Sequence, residues 1–253
     1  MNTKLILLVN LIFFISCMSA KCQFVENGEI IFEVKTNLKK TLGNNSWSEN
    51  MKDKLPNFKT SYYKYSFSGS KSLYQFDHWE NKEAVPEMFR QSDEKSVWFT
   101  DFNSNKFNNN KEVFGSHFNI KDSISKIQWK LSNENRIIAG YNCRKATGKI
   151  MDSIYVFAFY TEEIIIPGGP CTVNGLPGMI LAMTIPRLYT SWIATSVINN
   201  KTITNIPEPV ESKNVFSKSQ AVLTIKEKMQ GWSNGDEDES NKWINQLIWN
   251  LLL

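Results

Sequence analysis

Histidine is nearly absent: the 253-residue chain holds only His78 and His117. That excludes His-rich metal centres and leaves little room for a His-dependent hydrolase. An excess of either charge is also missing, with 29 basic residues against 25 acidic ones. The formal surplus of +4 falls to about +2 once Lys4 and Lys21 are set aside as leader residues. So small a surplus gives a polyanion nothing to seek, and no nucleic-acid partner is expected. No Gly-x-Ser-x-Gly, His-Glu-x-x-His or phosphate-loop motif occurs, and no internal repeat. No cofactor is implied. Apolar residues make up 42% and charged residues 21%, so the chain can build an ordinary globular core.

The amino terminus reads as an export signal. Lys4 supplies the positive region, and Leu5 to Ile15 is apolar apart from Asn10. That run is too short to span a bilayer and is placed as a signal peptide is. Cleavage after Cys22, in Ala20-Lys21-Cys22, leaves Gln23 first; cleavage after Ala20 is the alternative. A third reading lipidates Cys17, although Phe14 fits poorly three residues before a lipid-bearing cysteine. The address is then periplasm, outer membrane or medium. Of four cysteines, Cys143 and Cys171 remain. An even pair outside the cytosol most often forms a disulfide. It would close a loop of about 29 residues and contribute roughly 3.5 kcal/mol. Two separate buried thiols are the other reading.

The dominant period is two. Ile30, Phe32 and Val34 alternate with Glu29, Glu33 and Lys35, Tyr63, Tyr65 and Phe67 with Lys64, Ser66 and Ser68, and Ile127, Trp129 and Leu131 with Lys126, Gln128 and Lys130. Side chains alternate faces on a strand, so each segment has one dry and one wet face. Val97 to Phe102, Ile137 to Cys143 and Trp192 to Ile198 read as further strands. Ile154 to Tyr160 and Met179 to Ile185 are continuous apolar runs, which predicts cover on both faces. The Asn-rich stretch from Asn103 to Asn110 reads as a loop. Leu38 to Phe58 reads as an irregular or partly helical excursion.

The tail changes period. Ser217 and Gln220 form a capping box, with Phe216 and Ala221 at staple positions. Ala221, Val222, Ile225 and Met229 share one helical face, and Gly231 is the expected stop. The acids from Asp236 to Glu239 suit the start of a last helix, Ser240 to Leu253. They do not suit a calcium loop, because Asn241 stands where glycine is needed. The last helix is apolar over much of its circumference, at Trp243, Ile244, Leu247, Ile248, Trp249 and Leu251 to Leu253. Fourteen residues cannot span a membrane. Docking onto the sheet is expected, with peripheral membrane contact as the alternative.

Candidate chemistry is thin. His78 and His117 are expected to stay apart. Met179 and Met183, with Met151, pack a core more readily than they hold copper. Glu162 and Glu163 end a strand, and neighbours on a strand point to opposite faces, so a carboxylate dyad is not expected. Gly175-Leu176-Pro177-Gly178 suits a type II turn centred on Pro177 and Gly178, with Leu176 filling an apolar gap.

The order of motifs from Ile127 to Leu181 carries a resemblance. Gly140-Tyr141-x-Cys143-x-Lys145-Ala146 is followed by Gly169-Pro170 and then by Gly175-Leu176-Pro177-Gly178-Met179-Ile180. This resembles the GLPGLI family, exported proteins of Bacteroidetes named for that hexapeptide. The resemblance implies an exported β-rich protein and no particular activity. Residue 171 is usually aromatic in that family, so a Cys143–Cys171 bridge would belong to this member alone.

The expected fold is mainly β and antiparallel. It is a strongly curved sheet or half-open barrel of about 9 to 11 strands, with carboxy-terminal helices. A signal peptide (1–22), a GLPGLI-type β domain (23–210) and a helical extension (211–253) divide the chain. The expected function is a non-enzymatic envelope module that binds an apolar ligand or another envelope protein. The alternatives are a structural partner of an outer-membrane complex and an uncommon envelope hydrolase.

Overall fold

A computed structural model describes residues 24–42, 46–113, 115–151, 153–210, 214–230 and 237–253. The export signal, Cys17, Cys22 and Gln23 lie outside the described residues, as do Gly231, Asp236 and the side chains of residues 237–240 and of Trp243.

Twelve strands form one sheet. They are β1 (Asn27–Asn37), β2 (Phe58–Ser68), β3 (Lys71–Trp79), β4 (Val97–Asp101), β5 (Lys106–Val113), β6 (Ser116–Ser123), β7 (Gln128–Ile138), β8 (Tyr141–Ile150), β9 (Ile154–Thr161), β10 (Met179–Ile185), β11 (Thr190–Asn199) and β12 (Val215–Phe216). The helices are α1 (Leu38–Thr41), α2 (Ser46–Lys52), α3 (Gln91–Glu94), α4 (Lys218–Gln230) and α5 (Glu237–Leu252). The strand order is β12-β6-β5-β4-β3-β2-β1-β11-β10-β9-β8-β7. Only β12 runs parallel to its neighbour, β6. The fold is thus mainly β and antiparallel. Its sheet is not closed into a barrel: β12 and β7 are the edges. Two meanders, β1–β6 and β7–β11, meet where β1 pairs with β11.

The inward faces follow the period of two. Ile30, Phe32 and Val34 of β1 are buried, as are Tyr63, Tyr65 and Phe67 of β2. Aromatic rings interlock across the strands: Tyr63 stacks on Tyr74 at 4.9 Å, and Tyr74 meets Trp98 at 5.1 Å. Each such pair contributes about 0.5–1.5 kcal/mol beyond its buried area. Bulges at Ile31/Phe32, Tyr62/Tyr63, Leu131/Asn135 and Ile180/Ala182 bend the strands.

Two strands differ from the sequence reading. The Asn-rich stretch is strand from Lys106 onward. Asn119 of β6 donates through Nδ2 to Oδ1 of Asn108 and of Asn110, at 3.1 and 2.5 Å, and Asn108 donates to Glu208 at 3.1 Å. The amides that read as turn formers satisfy one another across the ladder. Strand β9 is covered on both faces only in its second half, from Ala158 to Thr161. Ile154, Val156 and Ala158 are buried, whereas Tyr155 and Phe157 point outward and are exposed.

The helices cover the β5–β6 end. The capping box forms in both directions: Ser217 N–H donates to Gln220 Oε1 at 2.8 Å, and Gln220 N–H to Ser217 Oγ at 3.2 Å. Ala221, Ile225 and Met229 of α4 pack with Phe107, Phe118, Ile120, Ile248 and Leu251 in a second apolar cluster. The end of α5 reaches the main core, where Leu253 O accepts from Trp98 Nε1 and Thr172 N–H, each at 2.9 Å. Lys111 is buried beside it, donating to Asn250 O and standing 4.9 Å over the Trp98 ring. Burial pushes the Lys111 ammonium down to about 8. Among the described residues, no helix is long and apolar enough to cross a membrane.

The expected disulfide is not formed. Cys143 and Cys171 are both free and buried. Both lie in the main apolar cluster, but each thiol meets other groups rather than its fellow. Cys143, on β8, donates to Tyr141 O at 3.5 Å and lies near Glu163. Cys171, in the loop after β9, lies near Lys111 and Trp192. Burial pushes both thiols up to about 12, so they behave as inert core groups.

Candidate functional site

The motif residues are scaffold. Ala139 and Gly140 take φ of 48° and 87° between the paired residues Ile138 and Tyr141. A two-residue turn with both φ positive matches the twist of the flanking strands. Tyr141, Cys143, Lys145 and Ala146 follow on β8. Lys145 reaches outward to Glu134 at 2.5 Å, while Ala146 is buried. Gly169 and Pro170 lie in the loop after β9, where Gly168 O accepts from Ile180 N–H at 2.9 Å.

The Gly175–Gly178 turn is tighter than the type II turn expected. Gly178 N–H donates to Leu176 O at 2.7 Å, which closes a three-residue turn around Pro177. Leu176 is buried. Gly178 has φ of 141°, and a Cβ there would collide with the carbonyl oxygen of Thr161. Met179 N–H then donates to Ile164 O at 3.1 Å. The glycine therefore lets the start of β10 press against the end of β9. It fixes the backbone that carries Thr161, Glu162 and Glu163.

At that point an open cleft of about 340 Å³ is lined by Phe24, Asn135, Asn142, Arg144, Tyr160, Thr161, Glu162 and Glu163. Tyr160, Arg144 and Asn135 form one row across β9, β8 and β7. The Arg144 side chain is anchored, with Nε donating to Ser132 O at 2.7 Å. Tyr160 is almost wholly buried, yet its hydroxyl has no well-formed hydrogen bond. Burial raises this phenol above its ordinary range and the Glu162 carboxylate raises it further, with Arg144 partly opposing them. It is a protonated donor at neutral pH. Arg144 and Glu162 both lie within reach of the hydroxyl, so it stands between a donor and an acceptor at the cleft wall.

Glu162 and Glu163 both line this cleft, against the expectation that they would point apart. Strand β9 ends at Thr161, so strand alternation no longer governs the two residues. With donors at Arg144 and Tyr160, acceptors at Glu162 and Glu163, and amides at Asn135 and Asn142, the lining offers both halves of a hydrogen bond. Phe24 adds an exposed ring at the rim. Such a lining sets hydrogen-bonding groups beside apolar surface and can hold a ligand that carries hydroxyl and amide groups.

The histidines do not meet. His78 sits on β3, bonded to Asp77 at 2.7 Å and stacked on Tyr62, whereas His117 faces Glu112 across β5 and β6. Met179 and Met183 are buried core. No group of three or more His, Cys, Asp or Glu able to hold a metal occurs among the described residues. Sequence reasoning passed over Arg144, Tyr160, Asn135 and Asn142. A signal existed: Arg144 shares the inward register of β8 with buried Ala146 and Ile150, and a guanidinium on an apolar register needs a reason.

The comparisons replace the GLPGLI resemblance. A family model described as the N-terminal domain of the N-glycanase peptide, PNGase F-II, matches residues 78–227. That span contains the whole Gly-Leu-Pro-Gly-Met-Ile stretch. The hexapeptide is a turn that launches a buried strand, a local solution that does not by itself mark a family. The expected non-enzymatic module for an apolar ligand or envelope partner is corrected with it, because the matched family is that of an enzyme. Of the readings weighed, the envelope hydrolase is the one the match favours. No curated protein matches the chain. Two solved structures of PNGF-II are similar. The form in space group P21 has 17% identity and a TM-score of 0.46, covering 76% of this chain and 31% of that one. The C2 form has 14% identity and a TM-score of 0.46, covering 87% and 33%. The chain thus spans about a third of the length of those proteins. The model match covers more than half of the chain, which therefore belongs to the family of the PNGase F-II N-terminal domain.

Proposed function

We propose that the chain serves the enzymatic removal of N-linked glycans, the hydrolysis of the amide that joins a sugar to an asparagine side chain. The observation that carries this reading is the family match over residues 78–227. The cleft at the end of β9 supports it. A sugar–asparagine junction presents an amide, an N-acetyl group and hydroxyls in one small volume. Arg144 and Tyr160 donate to its carbonyl oxygens. Glu162 and Glu163 accept from hydroxyls and amide N–H groups, and the Phe24 ring takes an apolar sugar face. The partner is a glycoprotein, met at the cell exterior.

The test is calorimetric titration of the chain with a peptide bearing one N-linked N-acetylglucosamine, against the same peptide without sugar. Mass spectrometry of the same mixture reads conversion of asparagine to aspartate. The sugar-bearing peptide should bind more tightly, and Arg144→Ala should weaken it by about tenfold. Equal binding of the two peptides, or binding indifferent to Arg144→Ala, would overturn the reading.

A further inference from the structure

Strand β9 carries more apolar surface than folding uses. Its run Ile154-Tyr155-Val156-Phe157-Ala158-Phe159-Tyr160 buries one side in the core, yet Tyr155 is 58% and Phe157 36% exposed. Exposed aromatic rings on a strand that already has a full inner face call for a second explanation. The two rings stand side by side at i and i+2, about 6.8 Å apart along the strand. Their cross-strand neighbours are polar: Lys149 faces Tyr155, while Thr147 and Thr184 flank Phe157 on β8 and β10. At the far end the outward row closes on Phe159, under the Arg136 guanidinium at 4.7 Å, beside the Lys145–Glu134 pair.

We infer that the outward face of β9 is a stacking platform for the outer sugars of an oligosaccharide, separate from the cleft. A pyranose ring has an apolar C–H face and a rim of hydroxyls. Tyr155 and Phe157 offer two neighbouring exposed aromatic rings on which sugar faces can stack, and Thr147, Thr184 and Lys149 flank them with donors and acceptors. A single lipid molecule would need an enclosed apolar cavity, and this face is open. A protein interface depletes charge at its centre, and here Lys149 stands directly beside Tyr155. The same strand ends in the cleft, so the platform and the cleft read two parts of one branched ligand. The inference rests on the proposed role in N-glycan removal and adds a second, outer subsite to it.

The test uses the whole chain and two probes, a free mannose-rich N-glycan oligosaccharide and the peptide bearing a single N-acetylglucosamine. Tyr155→Ala with Phe157→Ala should weaken the free oligosaccharide by roughly two- to tenfold per ring and leave the glycopeptide unchanged. Tyr155→Phe with Phe157→Tyr keeps both rings and should keep oligosaccharide binding. An unchanged melting temperature in both variants shows that the fold is intact. Oligosaccharide binding that ignores the double alanine change overturns the platform. Binding of the glycopeptide with no binding of the free oligosaccharide also overturns it and leaves the cleft standing. Binding of the oligosaccharide alone, lost in the double variant, supports the platform and sinks the cleft reading.

Discussion

The two ends of this sheet are covered by different means. At the β5–β6 end, α4 and α5 lay Ala221, Ile225, Met229, Ile248 and Leu251 against Phe107, Phe118 and Ile120. At the β8–β10 end the cover is the loop between β9 and β10. It places Ile164, Ile166, Val173 and Leu176 in the main core and is tied down by main-chain bonds such as Ile180 N–H to Gly168 O at 2.9 Å. Helices satisfy their own backbone and can seal a face. A loop must find partners for each N–H and C=O, and it leaves gaps where it turns. The cleft lies at such a turn. Here the helices seal one end, and the loop-covered end holds the cleft to which the glycan is proposed to bind.

The comparison can be broken hardest at Gly178. Gly178→Ala drives a methyl group into the Thr161 carbonyl and should cost about 3–5 kcal/mol, or prevent folding. Urea denaturation reads the loss, and the cleft should fail with it. On the sealed end, Leu251→Ala should cost about 2–5 kcal/mol by leaving a cavity. Hydrogen exchange should then rise in α4 and α5 while glycopeptide binding persists. Loss of binding in Leu251→Ala would show that the two ends are not independent. Arg144→Ala reverses that pattern, weakening glycopeptide binding while moving urea stability by less than about 1 kcal/mol.

The smallest effect concerns Lys111. Its folded value near 8 lies below its ordinary 10.5, so the unfolded chain binds the extra proton between those limits. Stability from this group is therefore gained as pH rises from about 8 towards 10.5 and is lost as pH falls back through 8. Lys111→Met should be the more stable form at pH 7, and its advantage in melting temperature should shrink by pH 9.5. Using the difference between the two proteins removes the opposing titration of Cys143, while Cys171, which lies near Lys111, shifts with the substitution.

The sheet was legible in the sequence because its signal is local. Each of Ile30, Phe32 and Val34 reports its own burial through alternation with charged neighbours, and Ser217 with Gln220 reports a helix start in four residues. The Asn108–Asn110 strand was not legible, because the amides that make it a strand answer to Asn119 and Glu208, distant in sequence. The cleft was hidden for the same reason. Arg144, Tyr160 and Asn135 become one row only when β7, β8 and β9 pair in register. The disulfide expectation rested on compartment and parity, and neither carries distance. The hexapeptide was legible as a turn. It was misleading about kinship, since a turn is what its physics demands.

The pairing of β1 with β11 sets a timetable for folding. It joins Thr36 to Thr190 through a buried hydroxyl contact of 3.0 Å across 154 residues of chain. Hairpins within each meander close over short distances, whereas this seam cannot form until nearly the entire sheet has been made. High contact order of this kind slows folding. An emerging polypeptide therefore holds β1 without its neighbour on that side until β11 has been made.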